Sequence, residues 1–243
     1  MQKKGKSNIM ISNELITDSL MTRFKNKELD SKLEKNKFNK LFKEAIKDYY
    51  PQLKKEYAGQ SIYGISFEIS NIIQKVYAND FDTFVYFNTE EMYAENIEDC
   101  DEDEKDYYRF EPWAEWDVAS PKTTLFEKVR DYLKQNSLKL PSDISEYADE
   151  LSKEAVSWYE ENELYFEEAF EEESEQIRMW VAETLGNLRK EGFWEEQGNA
   201  DIYVIPFSGE DDIDYEEMVQ TFRIMDQDCH GSEFLDYLAE QEE

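Results

Sequence analysis

Phe38, Leu41, Phe42, Ala45, Ile46 and Tyr49 fall at i, i+3, i+4, i+7, i+8 and i+11, which predicts a helix with one buried face. Pro51 lacks the N–H that a helix interior needs and is expected to weaken or bend it, with Gly59 as its stop. Tyr63, Ile65, Phe67 and Ile69 then alternate with Gly64, Ser66 and Glu68, the period of a half-buried strand. Ala78-Asn79-Asp80 reads as a turn, and Phe81–Phe87 as the partner strand. Asn88 with Glu91 three residues on forms a capping pair that opens a helical turn.

Tyr107–Phe110 predicts a third strand, ended by Pro112. Ser120-Pro121 fits an N-cap and first helical residue, ahead of a stripe of Leu125, Val129, Tyr132 and Leu133. Pro141-Ser142 opens another helix carrying Ile144, Tyr147, Ala148, Leu151, Ala155 and Trp158. After a break near Asn162, Phe166, Phe170, Ile177, Val181, Leu185 and Leu188 make a further stripe that ends at Gly192. Ile202–Phe207 is apolar without alternation, as in a strand covered on both faces. Asp214 and Glu217 cap a helix with Tyr215, Met218, Val219 and Phe222 on one side, and Gly231 sets off a short acidic C-terminal helix. Helices and strands in this order predict an α+β protein with a small, largely antiparallel sheet packed with several helices.

Residues 1–37 read as a basic N-terminal extension, 38–226 as the α+β domain, and 227–243 as an acidic tail helix. Within the extension, Asn13 caps a short helix bearing Leu15, Ile16, Leu20 and Phe24, and Lys25–Lys37 reads as linker.

Charge changes this picture more than any motif does. The first 60 residues hold 14 Lys+Arg against 8 Asp+Glu, a net of +6. The remaining 183 keep 13 of the 27 basic residues and 50 of the 58 acidic ones, a net of −37. Eight of the twelve residues from Glu95 to Asp106 are acidic, as are nine of the sixteen from Glu160 to Glu175. Such a field repels nucleic acid and anionic membrane and speeds encounter with cationic proteins. With 40% hydrophobic and 15% aromatic residues the chain has the material for a core. No stretch has the ~18 apolar residues of a membrane span, and the apolar group after the basic start is too short for a signal peptide. Cys100 and Cys229 supply no disulfide framework and read as reduced thiols of a cytoplasmic protein.

Catalytic chemistry finds little to stand on. The one histidine, His230, adjoins Cys229, and adjacent side chains diverge where a catalytic pair must converge. Asp226–Gly231 opens like a calcium loop, but His230 and Tyr237 occupy positions where that loop needs oxygen ligands. Eight glycines build no phosphate-cradling loop. No catalytic residue, metal or cofactor is assigned. The remaining cluster is Tyr107–Trp116, with five aromatics, Arg109, Glu111 and Glu115. Structurally, Arg109 would pair with Glu111 or Glu115 while Trp113 and Trp116 fill the core. Functionally, Trp, Tyr and Arg are the usual anchors of protein interfaces.

Ile62–Ile69, Phe81–Phe87 and Asn88-Thr-Glu-Glu91, followed by Tyr108-Arg109 and Glu115-Trp116, resemble a family of small bacterial domains found among polymorphic-toxin immunity proteins. Gly192-Phe-Trp194 and Asp201–Phe207 continue the likeness, which covers roughly Phe38–Asp226; Phe110 stands where that family carries tryptophan. The resemblance implies a non-enzymatic cytosolic antidote that binds and neutralises a cognate toxin, and the charge independently favours a basic one. The expected partner-binding residues are Glu90, Glu91, Asp101, Glu102, Asp103, Glu104, Arg109, Glu115, Trp116, Glu167 and Glu171. Neither direct nucleic-acid binding nor a membrane is expected. Two rival readings are an acidic nucleic-acid mimic and an enzyme with an unrecognised site. For the mimic, nine glutamates on sixteen helical residues give one charge per ~2.7 Å against ~1.7 Å in B-DNA.

Overall fold

The computed structural model describes residues 31–75, 78–98, 100, 105–110, 117–119, 123–138, 153–205, 215–225, 235–237 and 239. In chain order they form α1 (Lys35–Glu56), β1 (Ile62–Lys75), β2 (Ala78–Thr89), α2 (Glu90–Asn96), α3 (Lys105–Phe110) and β3 (Asp117–Ala119). Then come α4 (Thr124–Asn136), α5 (Lys153–Lys190), α6 (Phe193–Glu196), β4 (Tyr203–Ile205) and α7 (Tyr215–Met225). The fold is α+β. Two compact units share the chain: a larger one of Leu33–Ile72, Asp80–Gln135 and Ser174–Glu243, and a smaller one of Met1–Lys32, Ile73–Asn79 and Asn136–Glu173.

The larger unit is built on a sheet of strand order β3-β2-β1-β4. Only two residues separate β1 from β2, which permits an antiparallel hairpin and no other pairing. β3 joins β2 antiparallel, with Val85 opposite Ala119, but β4 runs parallel to β1, with Ile65 opposite Val204. The sheet is therefore mixed, antiparallel except at one edge.

α1 lays its stripe on this sheet. Phe38, Phe42, Ala45, Ile46, Tyr50 and Leu53 are buried, one turn further along than periodicity predicts. The ring of Phe42 meets Phe38 at 5.6 Å, Phe67 of β1 at 5.9 Å and Phe126 of α4 at 6.1 Å, the last two edge-on. Helix α1 does not stop at Pro51 but runs through it to Glu56. The proline sits on the exposed side, where the Lys47 carbonyl it leaves unsatisfied can reach water. Gly59, at φ 104°, follows the helix end. At the other end Glu34 provides no side-chain cap; its backbone N–H donates to the Tyr132 hydroxyl at 2.7 Å instead. On its outer flank, α1 pairs Lys35 with Glu183 at 2.5 Å and Lys43 with Glu191. Part of the basic N-terminal charge is thus neutralised within the fold.

Several local expectations change. All six residues Ile62–Phe67 are buried, so β1 is covered on both faces there, not half-buried. Its alternating positions are small (Gly64, Ser66) rather than charged, which suits close packing as well as exposure. Ala78-Asn79-Asp80 lies inside β2 and is not a turn. Tyr107–Phe110 is helix, not strand, and the third strand is Asp117–Ala119. Four aromatic-rich residues fit either period; burial of Phe110 against Tyr203 and Tyr237 accompanies the helix. Thr123 directly precedes α4, and its Oγ1 accepts from Phe126 N–H at 3.4 Å. The buried stripe of α4 is Phe126, Val129, Tyr132 and Leu133, with Leu125 only half-buried.

α5 continues through Asn162 without the expected break. One asparagine costs only about 0.7 kcal/mol of helix propensity at most, and Glu, Ala and Leu around it are strong formers. In the larger unit, Ile177, Trp180, Val181, Thr184, Leu185 and Leu188 of α5 are buried. Gly186 lets α7 approach: a Cβ there would lie 2.8 Å from the carbonyl oxygens of Ile224 and Met225. Gly192, at φ 74°, follows the end of α5 as its position suggests. β4 carries half-buried Tyr203 and buried Val204, Ile202 just ahead of it is buried, and Pro206 and Phe207 of the expected strand lie outside the described residues. Residues 235–237 and 239 are helical, and Tyr237 is buried.

The predicted helix over 13–24, the helix start at Pro141-Ser142, Ser120-Pro121, Pro112 and the Asp214 cap lie outside the described residues. Among those described, no helix is long and apolar enough to cross a membrane.

Candidate functional site

Arg109 stands at one end of the sheet, where β1 and β4 begin and β2 ends. Helix α3 turns its guanidinium back over three tyrosine rings: Tyr63 of β1 at 4.6 Å, Tyr93 of α2 at 5.2 Å and Tyr203 of β4 at 5.7 Å. The parallel register that sets Gly64 beside Tyr203 brings two of these rings to the same edge. Glu90 completes the cluster, with its two oxygens 3.4 and 3.5 Å from the two terminal guanidinium nitrogens. Arg109 pairs with Glu90; Glu111 and Glu115, the partners expected for it, lie outside the described residues. The Tyr63 hydroxyl donates to the Arg109 carbonyl at 3.4 Å, which fixes the end of α3 as well.

Burial works against the Arg109 charge, but hydrogen bonding and attraction to Glu90, with Tyr63 and Tyr203 behind it, raise its pKa above the ordinary value. Tyr63 is pushed up by burial, a shift the nearby guanidinium partly opposes. Neither group titrates near neutrality. The cluster sets one cation among three aromatic rings and one carboxylate, an arrangement suited to holding elements together or meeting a partner.

α2 begins where β2 ends, and its cap explains how Glu90 and Glu91 are placed. The capping residue is Thr89, one past the predicted Asn88: Thr89 Oγ1 accepts from Met92 N–H at 3.1 Å. Asn88 is buried and its Oδ1 accepts from Thr89 N–H at 2.9 Å. Glu91, predicted to reach back to the cap residue, reaches across to β1 instead. Its Oε2 accepts from Ser61 N–H at 2.8 Å, while Glu90 N–H donates to the Ser61 carbonyl at 2.9 Å. The bond from Ser61 is the main cause of a Glu91 pKa below the usual carboxylate value. Beyond these, Glu95 and Glu98 are exposed and form no ion pair among the described residues.

Of the residues expected at a partner surface, Glu90, Glu91 and Arg109 are brought together here. Asp101, Glu102, Asp103, Glu104, Glu115 and Trp116 lie outside the described residues. Glu167 and Glu171 lie on the stretch of α5 that belongs to the smaller unit. Sequence reasoning missed Tyr63, Tyr93 and Tyr203. The readable signal was a tyrosine within the first two positions of each of two strands, where a ring can pack inward and leave its hydroxyl at the rim. Among the described residues, no group of three or more His, Cys, Asp or Glu side chains is placed to hold a metal ion.

Arg109→Ala should lower stability by about 1–2 kcal/mol, the scale of a largely desolvated cation–π contact with a loose ion pair added. Arg109→Lys should recover less than half of that, since an ammonium cannot lie flat on a ring and bridge both Glu90 oxygens. Urea unfolding of the three proteins measures both values; a lysine variant as stable as wild type would assign the effect to charge alone. Compared with known proteins, the chain matches no family model, no curated protein and no solved structure.

Proposed function

We propose that this is a non-enzymatic, immunity-type protein that binds and neutralises a basic cognate toxin domain through an acidic surface. The observation that carries the reading is the charge: −37 over residues 61–243, displayed where the structure describes it as exposed carboxylates along α2. Arg109 lies against that helix, held by Glu90 and three rings. The likeness of Asn88-Thr-Glu-Glu91 and Tyr108-Arg109 to the immunity-protein family supports the same reading. Fixed negative potential of this size accelerates encounter with a basic partner and selects against acidic ones.

Co-expression with the toxin encoded beside it should protect cells from that toxin and from no unrelated one. Binding should weaken as salt rises from 50 to 500 mM, because the Debye length contracts from roughly 14 Å to about 4 Å. Glu95→Lys with Glu98→Lys should slow association at low salt by about tenfold, with little change in dissociation. Association rates unchanged by both salt and charge reversal would count against this surface.

A further inference from the structure

Glu173 is the one glutamate among the described residues that is buried, at 6% exposed. It lies on α5 in the smaller unit, and no cation among the described residues pairs with it. Its carboxylate accepts the Leu138 N–H on both oxygens, at 2.9 and 3.0 Å, and the Ser31 hydroxyl on Oε1 at 2.8 Å. The same two segments meet again where Lys32 N–H donates to the Asn136 carbonyl at 2.7 Å. Three stretches distant in sequence converge on one carboxyl: the residues ahead of α1, those closing α4, and the middle of α5.

Among the described residues, the groups facing Glu173 are nearly all neutral. The stretch ahead of α1 brings Ser31 and the exposed Lys32; the stretch closing α4 brings Asn136, Ser137 and Leu138. On α5 itself Glu172 and Glu175 are exposed. An ionised carboxylate taken out of water loses several kcal/mol of hydration, and two neutral donors offset only part of it. A protonated carboxyl suits the same place. Its carbonyl oxygen accepts from Leu138, and its O–H donates to Ser31 Oγ.

We propose that Glu173 is a proton-operated clasp: protonated, it closes the segments at Ser31–Lys32 and Asn136–Leu138 onto α5, and ionised, it lets them open. Burial raises its pKa above the usual carboxylate value, and the bonds from Ser31 and Leu138 pull against that rise. The sign follows from the raised value. The clasp contributes its full stability below the ordinary carboxylate pKa and loses it as pH climbs through the folded-state pKa.

Amide hydrogen exchange of the full chain, corrected for intrinsic rates, reads the clasp at Leu138 and Lys32. Protection there should fall about tenfold between pH 4 and pH 8, as ionisation releases both segments. The Ile65 amide of β1, in the larger unit, should not follow. In Glu173→Gln the amide oxygen accepts from Leu138 and the amide N–H donates to Ser31, so protection at pH 8 should rise to the wild-type acid level and stop varying with pH. Glu173→Ala should lose protection at both. Wild-type protection independent of pH would overturn the clasp, as would a glutamine variant less protected than wild type at pH 8.

Discussion

Phe42→Ala should lower the unfolding temperature by roughly 10 °C. The side chain is fully buried and is the point where α1, β1 and α4 meet ring to ring. Truncating a buried phenylalanine costs about 3–5 kcal/mol, from lost transfer energy and from the cavity left behind. At this chain length each kcal/mol lowers the midpoint by about 2–4 °C. The neighbours can relax little. Phe38 is held by Trp180 at 5.7 Å, and Phe126 by Tyr49 at 5.7 Å, so neither ring is free to close the gap. Phe42→Leu keeps most of the apolar volume and should cost less than half as much, roughly 1.5 kcal/mol. Calorimetry on both variants separates the contribution of the ring pairs from that of bulk burial. An alanine variant melting within a few degrees of wild type would mean that α1 is not seated on the sheet as described.

Gly186→Ala should destabilise, although alanine in a helix interior ordinarily gains about 1 kcal/mol over glycine. The atoms in the way are backbone: the carbonyl oxygens of Ile224 and Met225 at 2.8 Å and the Met225 Cα at 3.1 Å. A side chain could rotate aside, but the C-terminal turn of α7 must move as a body. Overpacking of this kind costs typically 1–3 kcal/mol, and rigid backbone on the far side places the expected loss near ~3 kcal/mol. Asn187→Ala, one residue on and exposed, is the control and should be neutral or slightly stabilising. Urea denaturation of the pair gives the contrast directly. If both alanines stabilise, α7 does not approach α5 at this glycine.

These two sites also show how far the sequence could be read. Phe42 was legible because apolar residues from Phe38 to Tyr49 recur on one face of α1 over about three turns, and period is robust over that length. Gly186 was not, since a glycine among Leu185, Leu188 and the surrounding formers looks like a mild defect until the opposite helix is seen. Short stretches went wrong for the related reason that too few residues define a period. Tyr107–Phe110 fitted a strand until burial of Phe110 favoured the helix, and Asn79-Asp80 carried turn residues inside a strand long enough to absorb them. At the site, the acidic character of α2 and the setting of Arg109 among aromatic residues were readable from composition. The Glu90 partner and the tyrosines were not, because they come from β1, α2 and β4 and are assembled only by the mixed sheet.

Four hydrogen bonds at the start of α2 carry a consequence for recognition. Thr89 Oγ1 donates to Gln60 Oε1 at 3.0 Å while capping Met92, and Ser61 is bonded on both its N–H and its carbonyl by the first turn. Together they bolt a seven-residue helix, too short to persist alone in water, to the rim of β1. Its carboxylates are then presented on backbone that is already ordered. Immobilising the rotamers of an interface costs about 0.5–1.5 kcal/mol per side chain, and a helix that had to fold on contact would add its backbone to that. A partner of the proposed kind meeting α2 would face only the side-chain part of that entropy.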